Sequence, residues 1–269
     1  MDLARLECLA RVTEPDHALL DNATGILSDA ARIVVLTGAG VSAESGVPTF
    51  RGEQGLWRSY QPEELATPDA FRRDPELVWS WYQWRRELIA DCSPNSGHHA
   101  LARLALSRDG VTLVTQNVDG LHNRAARDMA MALGVSDPEP AYPLEVHGAI
   151  HRDRCSGCAR LTAGTTGSEP GPPTCAACGS PLRPDVIWFG ESLDAGVIGS
   201  AQQAAIHADV CLVAGTSALV YPAAGLPDLT LRSGGAVVEV NLEPTPLTGS
   251  ATVSIRGQSG EILPEIVGA

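Results

Sequence analysis

The segment Thr37–Gly52, TGAGVSAESGVPTFRG, constrains this chain more than any other. It comes after Arg32-Ile33-Val34-Val35-Leu36, a β-branched run that predicts a buried strand. Gly38, Gly40 and Ala43 then match the G-x-G-x-x-G/A spacing of a dinucleotide-binding turn. Gly38 permits a tight turn, and Gly40 lets the backbone approach a pyrophosphate. A small residue at 43 lets the next helix pack close, with its N-terminal N–H groups turned to the phosphates. A glycine-rich strand-to-helix turn of an ordinary α/β protein has the same spacing, so the fingerprint alone leaves both readings open.

The residues after the glycines do not suit hydride transfer. A ribose-binding acid is expected about 20 residues on, at the end of a second strand. Gly46-Val47-Pro48-Thr49-Phe50-Arg51-Gly52 instead lacks strand periodicity and carries turn residues at both ends. It predicts a long loop over the nucleotide.

A chain of 269 residues can bury roughly three quarters of its unfolded surface, enough for one full domain and a small second one. Its hydrophobic content of 44% is that of a globular protein, and no run approaches the ~18 apolar residues of a membrane span. The first residues, Met1-Asp2-Leu3-Ala4-Arg5-Leu6-Glu7, are too charged for a secretory core segment. A cytoplasmic location is expected, with a mitochondrial one left open. A net charge of −13 argues against nucleic acid as a direct partner. It suits basic protein substrates and also serves solubility.

Cys155-Ser156-Gly157-Cys158 and Cys175-Ala176-Ala177-Cys178 form two C-x₂-C pairs with zinc-ribbon spacing. Four thiolates would fill the tetrahedron of a Zn²⁺ ion and leave no position for water, which makes the metal structural. Redox pairs or disulfides are the alternative. The Gly/Pro/Thr/Ser stretch 162–174 between the pairs has little means of forming a core, so metal binding supplies folding energy there. Cys8, Cys92 and Cys211 stand alone, and Cys211 reads as a core residue.

Along the chain, residues 16–31 read as a helix. Residues 62–106 read as several helices punctuated by Pro68, Pro75 and Pro94. Strand-like runs fall at 111–115, 186–188, 210–213 and 236–241, with a Pro/Gly/Asp-rich loop at 134–143. Strands spaced by helices predict an α/β fold, a Rossmann-like doubly wound parallel sheet, here with a zinc-ribbon and a helical insertion. The expected division of a 16–269 catalytic domain is a core over 16–50, 107–149 and 184–269, a helical insertion over 51–106 and a zinc module over 150–183. Thr37-Gly38, Gln116-Asn117, Gly215-Thr216-Ser217 and Asn241 come directly after such runs and would converge at the carboxyl edge of the sheet, where such folds bind ligands.

The motifs GAGVSAESGVPTFRG at 38–52, TQNVDGLH at 115–122, EVHG at 145–148, the paired CxxC, RPDVIWFGE at 183–191, GTSALVYPAAGLP at 215–227 and VNLEP at 240–244 occur in this order. With them the chain resembles the sirtuins, NAD-dependent protein-lysine deacylases, over nearly its whole length. The resemblance implies NAD and Zn²⁺ as cofactors and acylated lysine side chains of proteins as partners; a monomer is the default expectation, with the oligomeric state open. It implies that His147 is the general base on the ribose hydroxyls, and that Asn117 acts with it. Asn117, Asp119 and Gln116 would orient the ribose and carboxamide, while Phe50 and Arg51 shield the reacting centre. The phosphate and adenosine sides would involve Gly38, Ala39, Gly40, Ala43, Gly215, Thr216, Ser217, Asn241, Glu243 and Ser259. The products implied are free lysine, nicotinamide and O-acyl-ADP-ribose. His98 and His99 read instead as cap or lining residues of the 97–106 helix, and Asn117 could equally be a helix N-cap.

Tyr82 and Arg85 stand at i and i+3 on a predicted helix and project from one face. A hydroxyl beside a guanidinium fork suits a carboxylate. The pair resembles that of the sirtuin subgroup that removes succinyl, malonyl and glutaryl groups. Ala66 matches that subgroup's small pocket residue, and Thr49 replaces an aspartate common in other sirtuins. Val186, Trp188 and Phe189 would complete the substrate side. A general deacetylase, a protein ADP-ribosyltransferase and a nucleotide-sensing module are the rivals. All 19 positive charges are arginines, either a compositional bias or an advantage for an enzyme that works on modified lysine.

Overall fold

The computed structural model describes residues 16–48, 60–165 and 171–268. Six strands form a parallel sheet: β1 (Ile33–Thr37), β2 (Val111–Thr115), β3 (Leu144–Glu145), β7 (Val210–Ala214), β8 (Ala236–Asn241) and β9 (Val253–Arg256), in the order β3-β2-β1-β7-β8-β9. The central strand β1 is buried at all five positions, because it is paired on both edges and covered on both faces. Its alternation divides the core in two. Ile33 and Val35 face the layer of α1 (His17–Asp29), α6 (Ser96–Ser107), α7 (Leu121–Leu133) and α10 (Ser259–Val267). Val34 and Leu36 face the layer of α8 (Ala195–His207) and α9 (Leu226–Arg232). Each aliphatic side chain so buried contributes about 1.5–3 kcal/mol.

Local sequence sets the helix boundaries. The Asp16 carboxylate accepts from Ala18 N at the start of α1, and Asp194 accepts from Gly196 N and Val197 N at the start of α8. The prolines that punctuate 62–90 open helices rather than interrupt them. Pro62, Pro68 and Pro75 are the first residues of α3 (Pro62–Leu65), α4 (Pro68–Arg73) and α5 (Pro75–Ala90). Position along the chain groups the 97–106 helix with this insertion. In the structure its face of Ala100, Leu101, Leu104 and Ala105 packs on the main sheet instead.

A second sheet is antiparallel, β5-β4-β6, from β4 (Gly148–Cys155), β5 (Leu161–Ala163) and β6 (Leu182–Val186). The strand expected at 186–188 is corrected here: only Val186 of that run is in a strand, as the last residue of β6, which begins at Leu182 and belongs to this small sheet. The polar letters of Arg183-Pro184-Asp185 hide it. Asp185 is buried because Arg152 and Arg154 both pair with it, at 3.0 and 2.7 Å. The unforeseen edge strands β3 and β9 have only two and four residues.

Arg86 fastens α5 to this sheet. Its guanidinium donates to Asp153 Oδ1 at 2.5 Å, to Ile150 O at 2.7 Å and to Thr165 O at 3.1 Å, and Asp153 is fully buried. Removing one partner of a buried pair leaves the other charge uncompensated. Arg86→Met should therefore cost about 3–5 kcal/mol in chemical denaturation, and adding Asp153→Leu should recover part of it. A loss under about 1 kcal/mol in the single variant would show that the pair does not anchor the helix.

Candidate active site

The strand order reverses between β1 and β7, and the turns that leave these strands meet there. A Cβ on Gly40 would lie 2.7 Å from the Gly215 Cα, and one on Gly38 would lie 2.7 Å from the Thr216 side chain. Gly215 has φ +59°, and a Cβ there would sit 2.4 Å from Val41 N. Gly40 N donates to Gly215 O at 2.7 Å. Only glycine permits this approach. Ala43 is exposed at the end of the short helix α2 (Ala39–Ala43), so the close packing expected of it is made by the glycines instead.

A cavity of about 490 Å³ opens at the carboxyl ends of β1, β2 and β7. Of the residues singled out in the sequence, Gly38, Ala39, Gly40, Gln116, Asn117, Asp119, His147, Gly215, Thr216 and Ser217 line one part of it. Ala66, Tyr82, Arg85, Val186, Trp188 and Phe189 line another. Asn241, Glu243 and Ser259 are not on this wall. Asn241 supports it through its amide, which donates to Thr216 O at 2.7 Å. Glu243 is exposed and its carbonyl accepts from Arg256, while Ser259 is buried in the first turn of α10. Thr49, Phe50 and Arg51 lie outside the described residues.

His147 stands just after β3. Its Nδ1–H donates to Gln116 O at 2.9 Å, which leaves Nε2 as the acceptor. Burial lowers its pKa below the ordinary histidine value, and the bond to Gln116 opposes that only in part, so the ring is neutral near pH 7. Gln116 Nε2 donates to Thr216 Oγ1 at 2.9 Å. Asn117 does not cap α7. Its Nδ2 donates to Gly38 O and to Ser42 Oγ, both at 3.0 Å, and the buried Asp119 accepts from Leu121 N at 2.8 Å instead.

Sequence reasoning passes over Ser42, although it stands inside the glycine motif. It is buried and links Asn117 to His98, whose Nε2 lies 3.3 Å from Ser42 Oγ. His98 belongs to the capping box of α6 with Asn95. Its ring packs 4.7 Å from that of His122, whose Nε2 lies 2.9 Å from Thr37 Oγ1. The signal for Ser42 is its spacing of four from Gly38, which turns it inward.

Four sulfur atoms, of Cys155, Cys158, Cys175 and Cys178, lie within 4.8 Å of one another. Sulfurs on a tetrahedral zinc stand about 3.8 Å apart, given Zn–S bonds of about 2.3 Å. Cys158 and Cys175 are at 3.8 Å and Cys155 and Cys178 at 3.4 Å, far beyond a disulfide bond of about 2.05 Å. All four are free thiols. Bonds from the Ser180 backbone and hydroxyl draw the Cys178 thiol down to about 6. A backbone bond at Arg160 lowers the Cys158 thiol, but the neighbouring Cys155, Cys178 and Cys175 together outweigh it and push it up to about 11. A divalent cation removes that conflict, so the cluster fits structural Zn²⁺.

The Sir2 family model matches residues 38–222. The chain belongs to the Sir2 family. This Sir2 protein is 47% identical to the NAD-dependent protein deacylase 2 of Pyrobaculum aerophilum, over 91% of this chain and 94% of that protein. It is 46% identical to the NAD-dependent protein deacylase 1 of Archaeoglobus fulgidus, over 90% and 94%. Among solved structures, a Sir2 homologue in complex with NAD has a TM-score of 0.80 at 44% identity, covering 94% of this chain and 92% of that one. A Sir2 homologue mutant bound to 2′-O-acetyl ADP ribose has a TM-score of 0.81 at 45% identity, covering 94% and 95%. No helix among the described residues is long and apolar enough to cross a membrane.

The buried histidines make stability depend on pH. Burial holds His98 down to about 2 and His122 down to about 4, against 6.5 for a free histidine. The unfolded chain therefore takes up protons below pH 6.5 that the folded chain does not. This stabilisation is complete above about pH 6.5 and falls by about 1.4 kcal/mol per pH unit for each histidine as pH drops toward the folded values. His98→Asn should flatten the acid side of a denaturation-versus-pH profile between about pH 6 and about pH 4.5. An unchanged slope would show that His98 titrates normally in the fold.

Proposed function

We propose that this Sir2 protein is an NAD-dependent protein-lysine deacylase that removes acyl groups ending in a carboxylate, of the succinyl, malonyl or glutaryl class. The deacylase reading is supported by the family, by relatives named for that activity and by the cavity at the strand reversal. The carboxylate reading is carried by Arg85. This guanidinium faces the cavity beside Tyr82, on a wall that also holds Ala66, Val118, Val186 and Trp188. It stacks at 5.1 Å over Trp81 and 5.7 Å over Tyr82. Burial pulls its pKa below the usual arginine value, against the opposing charges of Tyr82 and Asp119. Arg85 is half-buried and lines the cavity. A terminal carboxylate would add a charge-assisted fork there, whereas an acetyl methyl would set a cation against an apolar group.

The remaining chemistry comes from residues on the same wall. A cavity of about 490 Å³ falls in the range of small-molecule and cofactor sites, and the glycines at 38, 40 and 215 leave backbone groups to meet phosphates. NAD, when bound, would supply an ADP-ribosyl group that the acyl oxygen captures as nicotinamide leaves; one water is then consumed as the lysine amine is released, giving free lysine and O-acyl-ADP-ribose. His147, neutral and with Nδ1 committed to Gln116, offers Nε2 to take a proton from a ribose hydroxyl. Asn117 is held by Gly38 and Ser42, so its Oδ1 is the atom turned to the ligand; Asp119 and Gln116 stand beside it. Gly38, Ala39, Gly40, Thr216 and Ser217 take the phosphate side, with Asn241 fixing the Thr216 carbonyl. The zinc cluster, all of its ligands sulfur, holds the small sheet and takes no part in the reaction.

One lysine peptide, prepared in succinylated, malonylated, glutarylated and acetylated forms and followed by mass spectrometry with and without NAD, tests this reading. Loss of at least one carboxylated acyl group that requires NAD is expected. Arg85→Met should lower kcat/KM for that substrate roughly 10- to 100-fold, the loss expected for a hydrogen bond to a charged group. Acetyl loss alone, unchanged by Arg85→Met, would make the protein a general deacetylase. No NAD-dependent loss from any form would overturn the deacylase reading.

A further inference from the structure

Tyr82 can serve a carboxylate only if its hydroxyl hydrogen points into the cavity, and the residue that decides this is Trp188. The indole Nε1–H lies 2.9 Å from the Tyr82 oxygen. An indole nitrogen only donates, so Tyr82 must be the acceptor of that bond. Its own O–H is then barred from pointing at Trp188. Trp188 and Tyr82 are both buried, at 2% and 0% exposure, and both line the cavity with Arg85.

The indole is itself held on several sides. The Arg183 guanidinium stacks over its ring, 3.3 Å from the centroid, and the Phe71 ring lies 5.3 Å away. Arg183 is fixed by two bonds to Glu191, at 2.5 and 2.9 Å, and by one to Val186 O at 2.6 Å. Glu191 in turn accepts from Trp188 N at 2.8 Å. The stacked cation withdraws electron density from the indole, which strengthens its N–H as a donor. Burial raises the Tyr82 pKa, so the phenol keeps its hydrogen at neutral pH.

We propose that Trp188 is a positioning residue for acyl specificity: by giving its N–H to the Tyr82 oxygen it turns the Tyr82 hydroxyl into a donor aimed, with Arg85, at the terminal carboxylate of the acyl chain. This inference rests on the carboxyl-acyl reading above. A neutral acetyl group has no terminal carboxylate and gains nothing from the arrangement. A carboxylate gains a short charge-assisted O–H···O bond beside the guanidinium.

The test is a double-mutant cycle in the full chain with Trp188→Phe and Tyr82→Phe, the readout being the ratio of kcat/KM for the succinylated peptide to that for the acetylated one. Near-UV circular dichroism and melting confirm that each variant is folded. Tyr82→Phe should lower the ratio about tenfold, and Trp188→Phe should lower it about five- to tenfold, mostly through KM. Adding Trp188→Phe to Tyr82→Phe should lower it by less than about twofold, because the hydroxyl it orients is gone. An unchanged ratio in Tyr82→Phe overturns the proposal even if Trp188→Phe does not fold. So does a Trp188→Phe effect that is equal in both backgrounds, which would reduce Trp188 to packing. A wild-type protein without succinyl activity overturns the carboxyl-acyl reading and this inference with it. A wild type with that activity and an additive cycle overturns this inference alone.

Discussion

Two turns touch at the reversal of the sheet because Gly38, Gly40 and Gly215 carry no side chain at the points of contact. A methyl group on Gly38 or Gly40 would lie 2.7 Å from the opposing turn, and Gly215 reaches its place with a positive φ. The residues on either side are then fixed by hydrogen bonds: Gly38 N to Ala214 O, Gly40 N to Gly215 O, and the Asn117 amide to Gly38 O. The position of Asn117 thus depends on the glycine contact, and the backbone of Gln116, bound to Thr37 O, sets the acceptor for His147. An alanine at any of the three glycines would push β1 and β7 apart at the edge that carries the cavity.

Beneath this contact lies a buried polar layer: Ser42 and His98, with the half-buried Asn95, on one side, and Thr37, Thr115 and His122 on the other. Buried polar groups cost stability unless they are paired, and here each is paired with a neutral partner. Burial holds both histidines below the ordinary histidine range, and the bonds of Ser42 to His98 and of the Asn95 amide to Val41 O tie the short helix α2 to the start of α6. The far wall is supplied by other elements. Helix α5 brings Tyr82 and Arg85, while Arg86, one residue on, is locked into the small sheet by Ile150, Asp153 and Thr165. The two neighbouring arginines do opposite jobs because a helix turns them about 100° apart.

Sequence periodicity reveals the central strands well. Runs such as Val34-Val35-Leu36 and Val210-Cys211-Leu212-Val213 are apolar on both faces because the sheet is covered on both faces, and the four cysteines announce their cluster by spacing alone. Strand β6 is hidden because Arg183 and Asp185 look like loop residues until Glu191, Arg152 and Arg154 are seen to pair with them. The convergence of Gln116-Asn117 and Gly215-Thr216 is legible from their places after strands. The motifs bring Trp188 and Tyr82 to one side of the site, but no pattern in the sequence gives the hydrogen bond between them across 106 positions. The exposure of Ala43 likewise depends on how soon α2 ends.

The central claim is that the cavity reads a carboxylate through Arg85 and Tyr82. A crystal structure with a succinyl-lysine peptide tests it most directly. The predicted result is carboxylate oxygens within about 3.2 Å of the Arg85 guanidinium and of the Tyr82 hydroxyl. An ordered acyl chain whose carboxylate points to solvent, more than about 5 Å from both groups, would contradict it.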